Sequence, residues 1–331
     1  MDKINLRFIV GAAFLLSLAV LPLLATAAGD SFYITLFSRI MIYGLATLGL
    51  NLILGYGGLV SLGHALYIGI GAYAVGILSA HGITSGWLQL LAAFMVGTVV
   101  AMLVGVVCLR TRGMAFIMIT LAFAQMAYYI AIGLRNYGGE DGMAVPMRSD
   151  FGLFSLSNSV VLYYAIFTVL LLVLYLSWRM MQSRFGFVLR ASRSNLTRMS
   201  ALGFPMLRYR LTAYVLSALV CVVAGFFLAN VARYIAPSYM AWHVSAELIV
   251  MAVLGGMGSL LGPVIGATAL LTLEEFLGSM ALGLPWGLDS FINTHFMIII
   301  GVVVVLIALS LQQGLYGYLT AREQRLGHVK S

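Results

Sequence analysis

Charge is what this 331-residue sequence has least of: acidic and basic residues together make up 8% of it. A soluble domain carries about a quarter charged residues, so this chain has too little polar side chain to cover a water-facing surface. Lysine is nearly missing, with Lys3 and Lys330 the only two. A phosphate-cradling GxxxxGK[ST] loop therefore cannot be written, which excludes ATP hydrolysis by that route. Cysteine is limited to Cys108 and Cys221, far apart, each in or at the end of an apolar run. With no CxxC and no His/Cys cluster, they read as small buried apolar side chains. No HExxH and no GxSxG occurs, and the adjacent Glu274 and Glu275 point to different faces of a helix. An enzyme is not expected.

What is present is apolar length. Hydrophobic residues make up 62% of the chain and the mean hydropathy is +1.05. A helix needs about 20 apolar residues to cross a bilayer. About ten runs qualify, at roughly 7–28, 33–54, 58–80, 87–109, 114–134, 159–178, 210–230, 243–257, 258–278 and 294–312. The expected fold is an all-α polytopic transmembrane domain with short or interrupted helices, one transmembrane unit over 1–331. The 36 glycines suit close helix packing in lipid. Ala25-Thr26-Ala27 resembles a signal-peptidase site, but the run before it is of spanning length, and we read it as an uncleaved first span.

The net charge of +8 is not gathered into a nucleic-acid patch; it sits at segment ends. With the N-terminus inside, fourteen basic residues fall on the cytoplasmic side and three (Arg135, Arg148, Arg233) outside, while Arg39 lies in a span. That bias predicts cytoplasmic N- and C-termini. The longest outer loop, 135–158, carries Glu140, Asp141 and Asp150 and reads either as a solvated connector or as a docking surface.

Two places inside the apolar sequence look broken. Gly55, Gly57, Gly58 and Gly63 crowd beside Ser61 and His64, and Gly255, Gly256, Gly258 and Gly262 precede Pro263. Both contain Gly-Gly-x-x-Ser-Leu, at 57–62 and 255–260. Irregular backbone at membrane depth is tolerated around a cavity or inside protein, so paired breaks point to a transport pathway, tight turns being the alternative. Charged Glu247 and Arg39 each need a partner or water there. The candidate path residues are Asn51, Ser61, His64, Gln125, Glu247, Gly255 and Gly256, with Thr120 and Ser217 as milder polar neighbours.

One stretch is unlike the rest. From Arg179 to Arg210 there are seven arginines, and Leu202-Gly-Phe-Pro205 ends the run. Phe185, Val188, Leu189 and Leu196 predict an amphipathic helix, which Ser194 and Asn195 divide into two short ones; Gly203 fits the position after its last turn. A soluble partner could push on such a segment, or anionic lipid could bind it.

These blocks resemble the LivM-type permease subunits of branched-chain amino-acid ABC importers. The likeness rests on Gly49-Leu-Asn-Leu-Ile-Leu-Gly-Tyr-Gly-Gly-Leu-Val-Ser-Leu-Gly-His-Ala65, on Ser183-Arg-Phe-Gly-Phe-Val-Leu-Arg-Ala191 through Ala201-Leu-Gly203, and on Val253-Leu-Gly-Gly-Met-Gly-Ser-Leu-Leu-Gly-Pro-Val-Ile-Gly-Ala267. The resemblance implies a permease in a bacterial inner membrane with no cofactor of its own. ATP and Mg would belong to two separate ATP-binding subunits, beside a LivH-like second permease and a periplasmic solute-binding protein. It also implies that Arg184, Phe185, Gly186, Arg190, Ala201, Leu202 and Gly203 form the element that seats on an ATPase subunit. The sequence departs from the family's pattern in having no acid at 194–198. Related permeases move urea, short amides or aromatic acids, and a stand-alone channel or secondary carrier is the other alternative.

Overall fold

The structure is a computed structural model that describes residues 6–28, 30–152, 155–279, 297–298, 300–306 and 314–317. Its helices are α1 (Leu6–Ala28), α2 (Ser31–Asn51), α3 (Ala65–Ala80), α4 (Gly86–Cys108), α5 (Met114–Gly133), α6 (Ser159–Gln182), α7 (Arg184–Ser194), α8 (Leu196–Ala201), α9 (Met206–Ala232), α10 (Trp242–Gly255) and α11 (Gly262–Ser279). A π-helical turn, Leu52–Tyr56, continues α2. Five helical stretches are long and apolar enough to cross a membrane: Ser31–Tyr56, Gly86–Cys108, Met114–Gly133, Ser159–Gln182 and Met206–Ala232. Shorter apolar helices run over Val10–Thr26, Ala65–Ala80 and Trp242–Gly255.

The apolar runs read from the sequence match these helices with one shift of note. The third helix starts at Ala65 rather than near 58, because Gly58 takes a φ of +68° and the backbone from 57 to 64 leaves the helix. The predicted run 294–312 lies partly outside the described residues; 297–298 and 300–306 are helical. The stretch 278–293, which contains Pro285-Trp286 and reads from the sequence as a second outer segment, falls almost wholly outside them.

α2 is the central helix. Its most apolar window is 83% buried, against 28% for α4, 22% for α5 and 28% for α6. It packs on α9, α10 and α11, while α3 and α4 pack on the other side of α9. The α3–α9 crossing is set by glycine. A Cβ on Gly71 would lie 2.0 Å from the Val222 carbonyl oxygen, and one on Gly225 would lie 1.9 Å from that of Ile68. In lipid no hydrophobic force drives helices together, so close backbone approach supplies the van der Waals contact instead.

At one end of the bundle the 135–158 loop is laced to its neighbours rather than free. Met143 and Ala144 pair antiparallel with Ile235 and Tyr234. Arg148 donates through Nε to the Asn230 carbonyl (2.9 Å) and through Nη1 to that of Ser157 (2.9 Å). Burial, and then the nearby Arg233, holds the Arg148 guanidinium below its ordinary pKa. The Asn230 side chain accepts from Ser149 N–H (2.8 Å), and the Ser149 hydroxyl donates to Gln89 Oε1 (2.5 Å). Glu140, Asp141 and Asp150 stay exposed on this loop.

Candidate functional site: paired helix breaks above a basic two-helix unit

Both breaks anticipated from the glycines are present, and they meet. Beyond Asn51 the turn widens: Leu59 N–H reaches back to the Ile53 carbonyl (2.9 Å) and Gly58 N–H to that of Leu54 (3.2 Å). Single π-turns of this kind are frequent at functional sites. The second break follows α10, where Gly256 (φ +113°) and Gly258 (φ +79°) turn the chain towards α11. Asn51 ties the two together: its Nδ2 donates to the Ser259 carbonyl (2.8 Å) and its Oδ1 accepts from Gly258 N–H (3.0 Å). The pairing orients the amide, since the flipped form would set N–H against N–H and oxygen against oxygen. A Cβ on Gly55 would stand 2.4 Å from the Gly258 nitrogen, and one on Gly255 would stand 1.8 Å from the Gly262 carbonyl oxygen. The two motif serines play matching parts, since Ser61 Oγ accepts from Gly63 N–H (3.2 Å) and Ser259 Oγ from Gly262 N–H (3.1 Å).

Beside the first break lies a buried polar cluster. His64 Nδ1 is 3.0 Å from Ser61 Oγ and its Nε2 is 2.9 Å from Ser217 Oγ. Ser217 donates its own proton to the Gly49 carbonyl (2.6 Å). Ser217 therefore accepts from His64 Nε2–H, and Nδ1 accepts from the Ser61 hydroxyl. Thr120 Oγ1 accepts from Leu62 N–H (3.3 Å) and Ser245 Oγ from Ala65 N–H (2.9 Å). Asn51, Ser61, His64, Thr120, Ser217 and Ser245 are all fully buried. These side chains give the unwound backbone the hydrogen bonds it lost by leaving the helix, as irregular backbone away from water requires. Gln125 stands half-buried on α5.

Glu247 and Arg39 share a different place. With Glu274 and Glu275 they line a cavity of about 430 Å³ between α2, α10 and α11. The Arg39 guanidinium also lies 5.8 Å from the Tyr43 ring centroid, within cation–π range. A second cavity, about 930 Å³, opens between α4, α6 and α9 and is lined almost wholly by apolar groups such as Phe94, Val169 and Leu216. It carries no charged side chain.

The basic stretch forms two short helices, α7 and α8. Asn195, in extended conformation, divides them, and its side chain caps α8 by accepting from Arg198 N–H (2.9 Å). α8 ends in a Schellman turn: Phe204 N–H bonds the Met199 carbonyl, Gly203 N–H bonds that of Ser200, and Gly203 has φ +86°. Val188, Met199 and Met206 close a small core between α7, α8 and the start of α9.

Of the seven residues assigned to this element by resemblance, three pack or bond back onto neighbouring helices, although Arg190 remains exposed. Phe185 stacks on Tyr209 (5.6 Å, 25°), Gly186 packs on the α6 end at Met181, and Arg190 donates to the Met181 carbonyl (3.0 Å). Arg184, Ala201, Leu202 and Gly203 face outward. The residue the sequence reading passed over is Phe187, 69% exposed, close in exposure to Leu202 at 66%. It falls off the apolar period, among the polar positions, and that mismatch was the available signal.

An all-α bundle of long apolar helices, with two breaks hydrogen-bonded to each other inside it, is a polytopic membrane protein. The comparisons with known proteins agree. Residues 32–309 match the family described as "Branched-chain amino acid transport system / permease component", and the chain belongs to that family. It is 27% identical over 299 residues to the high-affinity branched-chain amino acid transport system permease protein LivM of Salmonella typhimurium, covering 83% of this chain and 68% of that one. LivM of Escherichia coli is 26% identical over the same coverage. LivH of Escherichia coli is 26% identical over 251 residues, 69% of this chain and 79% of that one. No solved structure matches.

Proposed function

We propose that this chain is the membrane-spanning subunit of an ATP-driven importer that moves branched-chain or other small hydrophobic amino acids across a bacterial inner membrane by alternating access. It works with a LivH-like second permease, two ATP-binding subunits that supply ATP and Mg, and a periplasmic solute-binding protein. Both of its termini are cytoplasmic. The whole chain acts as one permease unit, with 180–209 as its coupling segment.

The observation that carries this reading is the α7–α8 unit. Exposed Phe187 and Leu202 stand outward on a basic, water-facing surface, while the same unit is bonded inward to the ends of α6 and α9 and to the first break. Apolar side chains left in water at this density suit a protein partner, and the chain has no phosphate loop of its own. Arg184, Ala201, Leu202 and Gly203 form the seat together with Phe187; Phe185, Gly186 and Arg190 hold it in place. The ATPase subunits drive transport by binding one conformation of the permease better than the other. In the path, Asn51, Ser61, His64, Gly255 and Gly256 shape the breaks, Gln125 lies alongside, and the charges of Glu247 and Arg39 are offset in a polar cavity, since an unpaired charge at membrane depth costs a few kcal/mol.

The test is co-purification and uptake. Phe187→Asp with Leu202→Asp is expected to cut recovery of the ATP-binding subunits at least ten-fold and to abolish ATP-driven leucine uptake into proteoliposomes, with the chain still folded. Undiminished recovery sinks the coupling assignment. Leucine uptake by this chain alone would identify a channel or secondary carrier instead, and uptake of urea, amides or aromatic acids with leucine excluded would change the substrate.

A further inference from the structure

Arg193 stands on the last turn of α7 and reaches 138 residues back in the chain: its Nη1 donates to the Gly55 carbonyl at 2.5 Å. That carbonyl, though buried, is freed from backbone pairing by the break itself. Because Leu59 N–H bonds Ile53 and Gly58 N–H bonds Leu54, the widened turn leaves the Gly55 oxygen without a backbone donor among the described residues. Unmatched carbonyls at a helix end attract cations. The path to it is cleared by glycine. A Cβ on Gly58 would lie 2.8 Å from Arg193 Cγ, so a side chain there would lift the arginine away. On the far side a Cβ on Gly258 would lie 4.0 Å from Nη1 and 3.4 Å from the Gly55 oxygen. The guanidinium thus sits at the seam between the two breaks. Its chain neighbour Ser192 accepts from Arg210 Nη2 of α9 (3.2 Å), so the end of α7 grips both the breaks and the following helix.

We infer that Arg193 is the positioning residue through which displacement of α7–α8 is delivered to the paired breaks. The inference rests on the coupling role proposed above. It adds a specific link: the partner moves α7, Arg193 pulls on the Gly55 carbonyl, and Asn51 carries the shift to Gly258 and Ser259. A merely structural arginine would affect folding and assembly but not the amount of solute moved per ATP.

The experiment uses the reconstituted full transporter with Arg193→Ala and Arg193→Lys. Co-purification, ATP hydrolysis and leucine uptake are read in parallel. The expected result is wild-type recovery of the ATP-binding subunits and persistent hydrolysis. Uptake per ATP should fall ten-fold or more for alanine and by less for lysine, which keeps a cation but loses the fork. Unchanged uptake per ATP in the alanine variant, or hydrolysis and uptake falling in equal proportion, overturns it. If the alanine variant does not assemble, hydrogen exchange on the lysine variant decides. The change that a non-hydrolysable ATP analogue induces at residues 57–64 should shrink while that at 184–201 persists; equal changes at both overturn the link. A wild-type chain that neither binds ATP-binding subunits nor takes up leucine with them fails the proposed function instead, and the link with it.

Discussion

Replacing Asn51 tests whether the two breaks form one unit. The side chain is fully buried and makes two bonds to backbone across 207 and 208 residues of sequence. Asn51→Ala leaves the Ser259 carbonyl and the Gly258 N–H without their partner. An orphaned buried group costs about 1–3 kcal/mol, and because Gly258 and Ser259 are only half-buried the pair together predicts a loss of about 1–3 kcal/mol. Asn51→Asp is the sharper variant, being nearly isosteric. It still accepts from Gly258 N–H but places a second oxygen against the Ser259 carbonyl, where the amide donated. The aspartate should therefore destabilise even though no volume is removed. Unfolding in detergent with increasing SDS measures the loss, and uptake in the full transporter reports whether the breaks still move together. An alanine variant within about 0.5 kcal/mol of wild type, the range of an ordinary surface substitution, or an aspartate variant equal to asparagine, would refute the idea that this amide joins the segments.

Two further outcomes are expected. Gly71→Ala or Gly225→Ala puts a methyl group about 2 Å from a backbone oxygen that cannot rotate away. α3 and α9 must part, at a cost of about 1–3 kcal/mol or more, seen as a lower midpoint in thermal unfolding; an unchanged midpoint would show that the crossing is loose. Cys108 and Cys221 are both fully buried. A maleimide should leave them unmodified in the folded protein and react after SDS denaturation, and native labelling at the denatured rate would contradict the packing.

Much of the fold was legible because a membrane helix has to satisfy its own backbone. Apolar length alone therefore marked α1, α4, α5, α6 and α9 closely. The exact start of α3 was not legible, since Leu59, Val60 and Leu62 are as apolar as a helix needs; the glycines marked a break there without showing that the chain stays out of the helix as far as Ala65. The breaks were legible from glycine clustering, but their meeting was not, because Asn51 reads as an ordinary polar residue until its partners are known. Within the basic stretch, Ser194 and Asn195 marked the division as weak helix formers and Gly203 marked the end of α8 by its capping position, while the Asn195 side-chain cap emerged only from the structure. The direction of each arginine was hidden: Arg190 and Arg193 are alike in sequence, yet one binds the end of α6 and the other the first break.

The arginines that brace this molecule share one habit. Arg148, Arg190, Arg193 and Arg210 all donate to backbone carbonyls. A carbonyl has no proton to gain or lose and no net charge for mobile ions to mask. Braces of this kind do not weaken as carboxylates are protonated, and they feel added salt far less than exposed ion pairs do. They also leave each guanidinium's positive charge unspent, so the surface around α7 stays strongly cationic while its skeleton is held firm.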